Sequence, residues 1–411
     1  MTASSIRQRL KLAYLVSHPI QYQAPLLRRI SQEPDIDLTV FFGSDYSVRG
    51  YKDEGFGVEV KWDIPLLEGY RSEFLPQLRD STAASIASPL NYGIASRLRG
   101  KNSGGKFDVL WVHGYSTVNA LHGLLAAKAL SIPTLIRSDS TLTDRPRSLP
   151  KRMVKEAFFA GLRHLVSGAL STGNRNTAYW QHHFGADFPV FHMPYAVDNH
   201  YFATQSAQAA STRDALQEEL NLDSARPVIL FASKLQTRKL CIDLLNAYAQ
   251  LSPDGTTEPH PYLIIVGDGE ERAALEARAA ELGWDSIRFL GFRNQSELPH
   301  FFDLCSVFVL PARHEPWGLI VNEAMAASRA VIVSDDVGCQ EDLVEDGVNG
   351  GVYPVGKVNE LEEKLRSVLA TPERAAEMGR RGFERIQHYS FDEDIRGLHL
   401  ALAALTGKAR N

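Results

Sequence analysis

Two glutamates eight residues apart, Glu315 and Glu323, stand in the segment SVFVLPARHEPWGLIVNEAMAASRAVIVSD, where their surroundings suit work on a ligand. A β-rich apolar run ends at Pro311, a polar loop carries Glu315, and a helical pattern opens near Trp317 and holds Glu323. The start of a helix leaves backbone N–H groups, here those of about Trp317, Gly318 and Leu319, without partners inside the helix. A strand end running into such a terminus is a ready anion site, and Gly318 lets a ligand approach the backbone closely. A carboxylate at the position of Glu315 can also simply cap the helix. A second segment, PVILFASKLQTRKLCIDLL, puts Lys234, Arg238 and Lys239 on a loop between a buried strand and a helix. Positive charge has no structural duty there and suits a diphosphate, above all one that gains charge as it departs. Arg238 reads as a solvated loop cation, and Lys234 and Lys239 as ligand-binding groups.

These residues need a scaffold that brings loops together, and the hydropathy pattern supplies one. KLAYLVS, DLTVFFG, FDVLWVHG and PTLIRSD alternate with helical stretches in the front half. The alternation restarts at PVILFAS and continues through PYLIIVGDG, SIRFLGF, SVFVLPA, AVIVSD and GGVYPV. Strand, helix, strand at this pitch predicts α/β architecture with parallel sheets. We expect two Rossmann-like doubly wound domains, 1–200 and 201–387, facing a central cleft. The joint is expected at MPYAVDNHYF (193–202) and the polar stretch that runs from it to Pro227. In such sheets ligands lie beyond the carboxyl ends of the strands, so chemistry is expected where the two rims meet.

Composition excludes several classes. The 411 residues are 44% hydrophobic and 23% charged, which rules against disorder and allows two or three domains at roughly 100–200 residues each. No apolar run approaches the roughly 20 residues that a bilayer span needs, and LAYLV near the N-terminus is too short for a signal-peptide core. Cys241, Cys305 and Cys339 fit neither a disulfide framework nor a zinc spacing, which implies a reducing, cytoplasmic setting. Residues 1–200 carry 23 Lys and Arg against 17 Asp and Glu (+6), so the rest of the −5 chain carries −11. Nucleic acid is a poor partner for this asymmetry, because no zinc-finger spacing, ribonucleoprotein motif or dense basic tail is present. An anionic membrane or acceptor suits the front half better.

The spacing Glu315-x7-Glu323 within HEPWGLIVNEAMAAS resembles the signature of retaining glycosyltransferases of the GT-B fold, family 4, of the bacterial glycan-assembly type. SKLQTRK is similar to that family's basic loop, and VGDGEER, FLGFRNQSELPHFF and VIVSDDVGCQEDLVEDGVNGGVYPVGKVNEL follow in the family's order. The resemblance is good over 226–370 and weaker elsewhere. It implies that Lys234 and Lys239 hold the pyrophosphate of a nucleotide-sugar donor, linked to UDP, GDP or ADP. Glu315 would lie by the transferred sugar, with Trp317, Gly318 and Leu319 beside it. Glu323 would accept from the ribose hydroxyls, and Phe292, Arg293 and Asn294 would border the base. Leu240 stands where the family often has glycine. The resemblance also implies that 388–411 returns to complete the first domain.

The front half departs further. Where relatives often carry a glycine-rich loop this chain reads SHPIQYQAPLLRR, so His18, Gln21 and Tyr22 are expected at the cleft. Where many have a sugar-touching histidine it reads PTLIRSDST, so Asp139 takes that place with Arg137 close by. His113 is the alternative contact, and Arg175 is either a diphosphate ligand or a surface ion-pairing group. In DRPRSLPKRMVKEAFFAGLRHLVSG (144–168), Met153, Val154, Phe158, Phe159, Leu162 and Leu165 alternate with Arg145, Arg147, Lys151, Arg152, Lys155 and Arg163. That pattern fits a helix lying on an anionic bilayer, or an ordinary domain helix with a solvated basic face.

The expected reaction is transfer of a hexosyl group from the donor to a hydroxyl of a lipid-linked or growing surface glycan, with retention. Lys239, Glu315, Asp139 and His113 are the candidate catalytic groups, and neither metal nor cofactor is expected. Two alternatives stay open: a nucleotide-sugar epimerase of the same architecture, and a non-catalytic nucleotide-sugar-binding protein. The expected location is cytoplasmic, with peripheral attachment to the inner face of the membrane.

Overall fold

The computed structural model describes residues 9–53, 55–101, 104–143, 148–251 and 260–407. They divide into two compact units, one drawn from 9–51, 64–194 and 391–407, the other from 52–63 and 195–390.

The first unit is built on strands β1 (Leu10–Val16), β2 (Ile36–Phe42), β3 (Arg71–Phe74), β4 (Val109–His113), β5 (Thr134–Arg137), β6 (Gly168–Ser171) and β7 (Val190–His192). All run parallel in the order β3-β2-β1-β4-β5-β6-β7, with β1 and β2 in register from Leu10 opposite Ile36 to Val16 opposite Phe42. The near-continuous apolar reading of LKLAYLV follows from burial on both faces. Ala13 and Leu15 enter one core, and Leu12, Tyr14 and Val16 enter the other. That second core is closed by the C-terminal helix Phe391–Thr406 through Ile395, Leu398 and Leu402, at helical spacing. The helix comes so near to β7 that a Cβ on Gly397 would meet the His192 carbonyl oxygen at 1.9 Å.

Arg137, expected at the cleft, is instead wholly buried. Its Nη2 donates to the carbonyls of Met193 (3.0 Å) and Pro194 (2.9 Å) and to Oδ1 of Asp394 (3.1 Å) on the C-terminal helix. The residue ties that helix to the carboxyl end of the sheet, and no short-range pattern reveals a partner 257 residues away.

The second unit carries β8 (Val228–Ala232), β9 (Tyr262–Val266), β10 (Ile287–Gly291), β11 (Val307–Leu310), β12 (Ala330–Ser334) and β13 (Gly350–Tyr353), parallel in the order β10-β9-β8-β11-β12-β13. Its sheet packs Ile229, Phe231, Leu263, Ile265, Val307 and Val309 against Leu244, Tyr248 and Leu365 of covering helices. The chain passes between the units at 194–195, within the expected joint, and the polar stretch up to Pro227 belongs wholly to the second unit. It forms helices Asn199–Ala209 and Arg213–Glu219 within this unit. Asp198 caps the first by accepting from the Tyr201 N–H at 2.9 Å, and Arg213 grips Asp303 through two hydrogen bonds of 2.6 and 2.7 Å. Few apolar residues suffice there because Phe202 packs its ring against Phe302. Residues 52–63, expected in the first domain, also belong to this unit.

Truncating Arg137 to Ala strands the buried Asp394 carboxylate, so Arg137→Ala is expected to destabilise the fold by about 3–5 kcal/mol. Urea unfolding of the purified variant measures this, and a loss under about 1 kcal/mol would contradict the assigned tie.

Candidate active site

In the second unit the strand order reverses direction between β8 and β11, which pair at Ile229–Val307 and Leu230–Phe308. The loops that leave these neighbours, 233–240 and 311–318, carry the residues singled out by spacing, and the Arg313 N–H donates to the Arg238 carbonyl at 2.7 Å. Such a switch point opens a crevice at the carboxyl rim. Leu240 has φ +49°, a left-handed conformation that costs a side-chain-bearing residue about 1–2 kcal/mol. Glycine would adopt this conformation without that cost.

The helix expected from Trp317 begins at Leu319, with Gly318 at φ +93° as its cap. The Trp317 indole is buried and donates to Asn322 Oδ1 at 2.9 Å, while Asn322 Nδ2 donates to the Tyr195 carbonyl at 2.9 Å. Trp317 therefore positions the helix, and the terminus is offered by Gly318 and Leu319. A Cβ on Gly338 would come within 1.8 Å of the Pro316 carbonyl oxygen, and the Gly338 N–H donates to the Glu315 carbonyl at 2.8 Å. Glycine at 338 thus lets two loops touch and fixes Glu315.

Glu315 does not cap the helix. Its Oε2 accepts from Lys239 Nζ at 2.5 Å and from Arg238 Nη1 at 2.7 Å. Arg238, read from sequence as a solvated cation, is a half-buried partner in this pair. Burial alone would raise the Glu315 carboxyl, but Lys239 and Arg238 outweigh it and hold the group below the usual glutamate value. Burial lowers the Lys239 ammonium, with Glu315 opposing. Glu323 is the reverse case: buried on the helix, it is pushed up to about 8 by desolvation, with a hydrogen bond from Gln295 pulling the other way. Among the described residues its Oε2 has no hydrogen-bond partner. A ligand with hydroxyl donors would satisfy it.

Lys234 donates to both carboxylate oxygens of Asp53, at 2.7 and 2.9 Å. Phe292 meets Phe56 edge-on with ring centres 4.8 Å apart and Trp62 at 6.3 Å. Arg293 pairs with Glu297 at 3.1 Å, which also accepts from the Asn294 N–H at 2.8 Å. Asp53, Gln295 and the pairing role of Arg238 escaped sequence reasoning. Only the unusual density of aromatic residues and glycine in DEGFGVEVKWD hinted at a built loop around Asp53.

In the first unit the expected groups gather at the carboxyl rim. His18, Gln21 and Tyr22 follow β1, His113 ends β4, Asp139 follows β5, and Arg175 lies in the first turn of the helix Asn174–Phe184. Burial, with Arg137 and His18 adding to it, lowers His113 to about 3, and burial lowers His18 to about 4. Both imidazoles are neutral at pH 7 and offer hydrogen bonds rather than charge. Of the expected membrane helix, 144–147 lies outside the described residues, so Arg145 and Arg147 have no place here. The remainder forms Leu149–Leu162, in which Phe159 and Leu162 are buried while Leu149, Met153 and Val154 are over 70% exposed.

Comparison with known proteins places these features. Residues 212–385 match the family model described as glycosyl transferases group 1. The chain is 26% identical over 262 residues to the alpha-D-kanosaminyltransferase of Streptomyces kanamyceticus, covering 62% of this chain and 66% of that protein. It is 28% identical over 249 residues to a GDP-mannose-dependent alpha-mannosyltransferase of Mycobacterium tuberculosis, covering 60% of each. The matched stretches thus span less than two thirds of these relatives. Among solved structures, Anabaena Alr3699/HepE in complex with UDP and glucose is similar at a TM-score of 0.68 and 18% identity, covering 96% of this chain and all of that one. The sucrose-phosphate synthase of Thermosynechococcus elongatus is similar at 0.68 and 18%, covering 97% and 100%. The fold is that of GT-B glycosyltransferases, two Rossmann-like α/β domains with parallel sheets.

Because the folded-state value of Glu323 lies above that of a free glutamate, its ionisation costs stability increasingly as pH rises from about 4.5 to about 8. Glu323→Gln removes that cost. Its melting temperature is expected to exceed the wild type's by about 2–4 °C per kcal/mol recovered, with a larger gain at pH 8.5 than at pH 5. Equal melting temperatures at both pH values would show that the carboxyl is not held neutral by burial.

Proposed function

We propose that this chain is a retaining glycosyltransferase that moves a sugar from a nucleotide-sugar to a hydroxyl acceptor. The observation that carries the reading is the assembly at the switch point of a domain similar to glycosyl transferases group 1: Lys234, Arg238 and Lys239 on one loop, Glu315 and a helix start on the next, and the half-satisfied Glu323 behind them. Breaking the bond between the anomeric carbon and phosphate leaves positive charge on the sugar and negative charge on the departing diphosphate. Lys234, Lys239 and the N–H groups at Gly318 and Leu319 would hold that diphosphate. Glu323 would accept from ribose hydroxyls, and the loop at Phe292 would border the base. The acceptor hydroxyl would attack on the face the diphosphate leaves, with its proton passing to a departing phosphate oxygen. This assigns the neutralising charge to lysines, so turnover is expected to persist in a chelator.

A screen of UDP-, GDP- and ADP-sugars by thermal shift and nucleotide release tests the reading. One class is expected to raise the melting temperature and to be consumed, and no response to any would sink it. With that donor, Lys239→Ala is expected to lower turnover on the order of 10²–10³-fold in protein that stays folded, with a lowered melting temperature because the buried Glu315 carboxylate is left to Arg238. Unchanged turnover would remove Lys239 from the site.

For the acceptor, the reading is a glycan carried on lipid at an anionic membrane face. Support comes from the first unit: among the described residues, every large apolar side chain that stands exposed belongs to it. Leu149, Met153 and Val154 share the start of one helix with exposed Lys151 and Arg152. Apolar contact plus about 1 kcal/mol per basic residue near the lipid suits reversible attachment. No helix among the described residues is long and apolar enough to cross a membrane. Flotation with anionic liposomes at low salt is expected to carry the protein upward, and Met153→Glu with Val154→Glu to abolish this. A wild-type protein that stays at the tube bottom would refute membrane attachment.

A further inference from the structure

Residues 52–63 lie across the carboxyl rim of the second unit's sheet. At one end Asp53 closes a turn of its own, accepting from the N–H groups of Gly55 at 2.8 Å and Phe56 at 3.0 Å. The same carboxylate accepts two hydrogen bonds from Lys234, whose Nζ also stands 4.8 Å from the centre of the Phe56 ring. A Cβ on Gly55 would fall 2.6 Å from Lys234 Cδ, so the turn rests directly on the lysine's stem. At the other end Asp63 accepts from the Ser296 hydroxyl, and Asn294 Nδ2 donates to the Lys61 carbonyl at 3.3 Å. The segment therefore reaches from the loop after β8 to the loop after β10.

We propose that Asp53 sets the affinity of this site for a nucleoside diphosphate by competing for Lys234. The inference rests on the reading above, in which Lys234 serves the donor's diphosphate. A carboxylate with both oxygens on one ammonium takes two of its three N–H donors and leaves a phosphate oxygen one at most. An entering diphosphate must displace Asp53 from the lysine or lie beside it, and in either arrangement the two negative charges oppose each other. Exchange is easier on Lys234 than on Lys239, because its side chain is 33% exposed whereas that of Lys239 is 9% exposed. The Asp53 turn can outlast the exchange, since its backbone hydrogen bonds do not need the lysine.

Asp53→Asn tests this, keeping the turn's acceptor oxygen and volume while removing the charge. Isothermal titration with UDP, GDP and ADP, and with uridine, guanosine and adenosine as uncharged controls, reads the outcome on the full chain. The variant is expected to bind the preferred diphosphate about fivefold more tightly, the equivalent of one partly exposed ion pair, and the matching nucleoside unchanged. The gain is expected to vanish when Lys234→Gln is added. Asp53→Ser, which retains a turn-forming hydroxyl, is expected to show the same gain and serves if the Asn variant fails to fold. A wild type that binds a diphosphate while the folded variants bind it equally or more weakly would overturn the inference and leave the donor reading intact, making Asp53 a support for Lys234. A wild type that binds none of the three diphosphates would overturn both.

Discussion

Charge compensation at the strand-order reversal of the second unit governs the rest of the site. Three cations, Lys234, Arg238 and Lys239, share a single loop, and two carboxylates from distant parts of the chain meet them. A buried ammonium without a counter-charge is costly to keep ionised, and Lys239 is buried. Glu315 is thus a condition for a charged lysine at that depth, before any role toward a ligand. Glu270 and Glu271, on the loop after β9, stand farther out and accept from Thr237 of the cationic loop.

The backbone that holds the cluster is bent at places ordinary residues avoid. Leu240, His314 and Gly318 all have positive φ, and Gly338 is pressed against the Pro316 carbonyl. These four positions surround the cations and Glu315. Parallel strands deliver chain ends to one rim, but turning side chains from neighbouring strands toward a common point takes short, sharply bent loops. Strain is tolerated because the sheets beneath are packed on both faces and do not yield.

Strands were legible wherever an apolar run met a helical pattern, since β1, β8, β9, β11 and β12 are buried and need no alternation to be seen. The positions of Glu315 and Glu323 were legible because one strand–loop–helix unit fixes their spacing, and that of Lys239 because a second such unit, earlier in the chain, holds it. Nearness along the chain says little about ion pairs, and Arg137 is the example. A strand-end arginine reads as a rim residue, yet its carboxylate partner is Asp394 of the last helix. Asp53 was hidden for the same reason, 181 residues before its lysine in a short loop. The helices at 199–219 were hidden by composition, because capping and ion pairing do there what apolar periodicity does elsewhere.

The two glutamates that share a sequence signature end in opposite electrostatic states. Two cations hold Glu315 ionised, while burial holds Glu323 toward its neutral form against the pull of one amide neighbour. Environments that push two like groups apart divide their labour. A carboxylate already bonded through one oxygen to both Lys239 and Arg238 is weakened as a nucleophile, so Glu315 is better suited to steadying charge than to forming a covalent bond. Glu323, with one oxygen unpartnered, gains most from a ligand that donates hydroxyl hydrogens and draws it into the ionised state. Two carboxyls that share one signature, on a loop and on the helix that follows it, thus differ in charge because their surroundings differ.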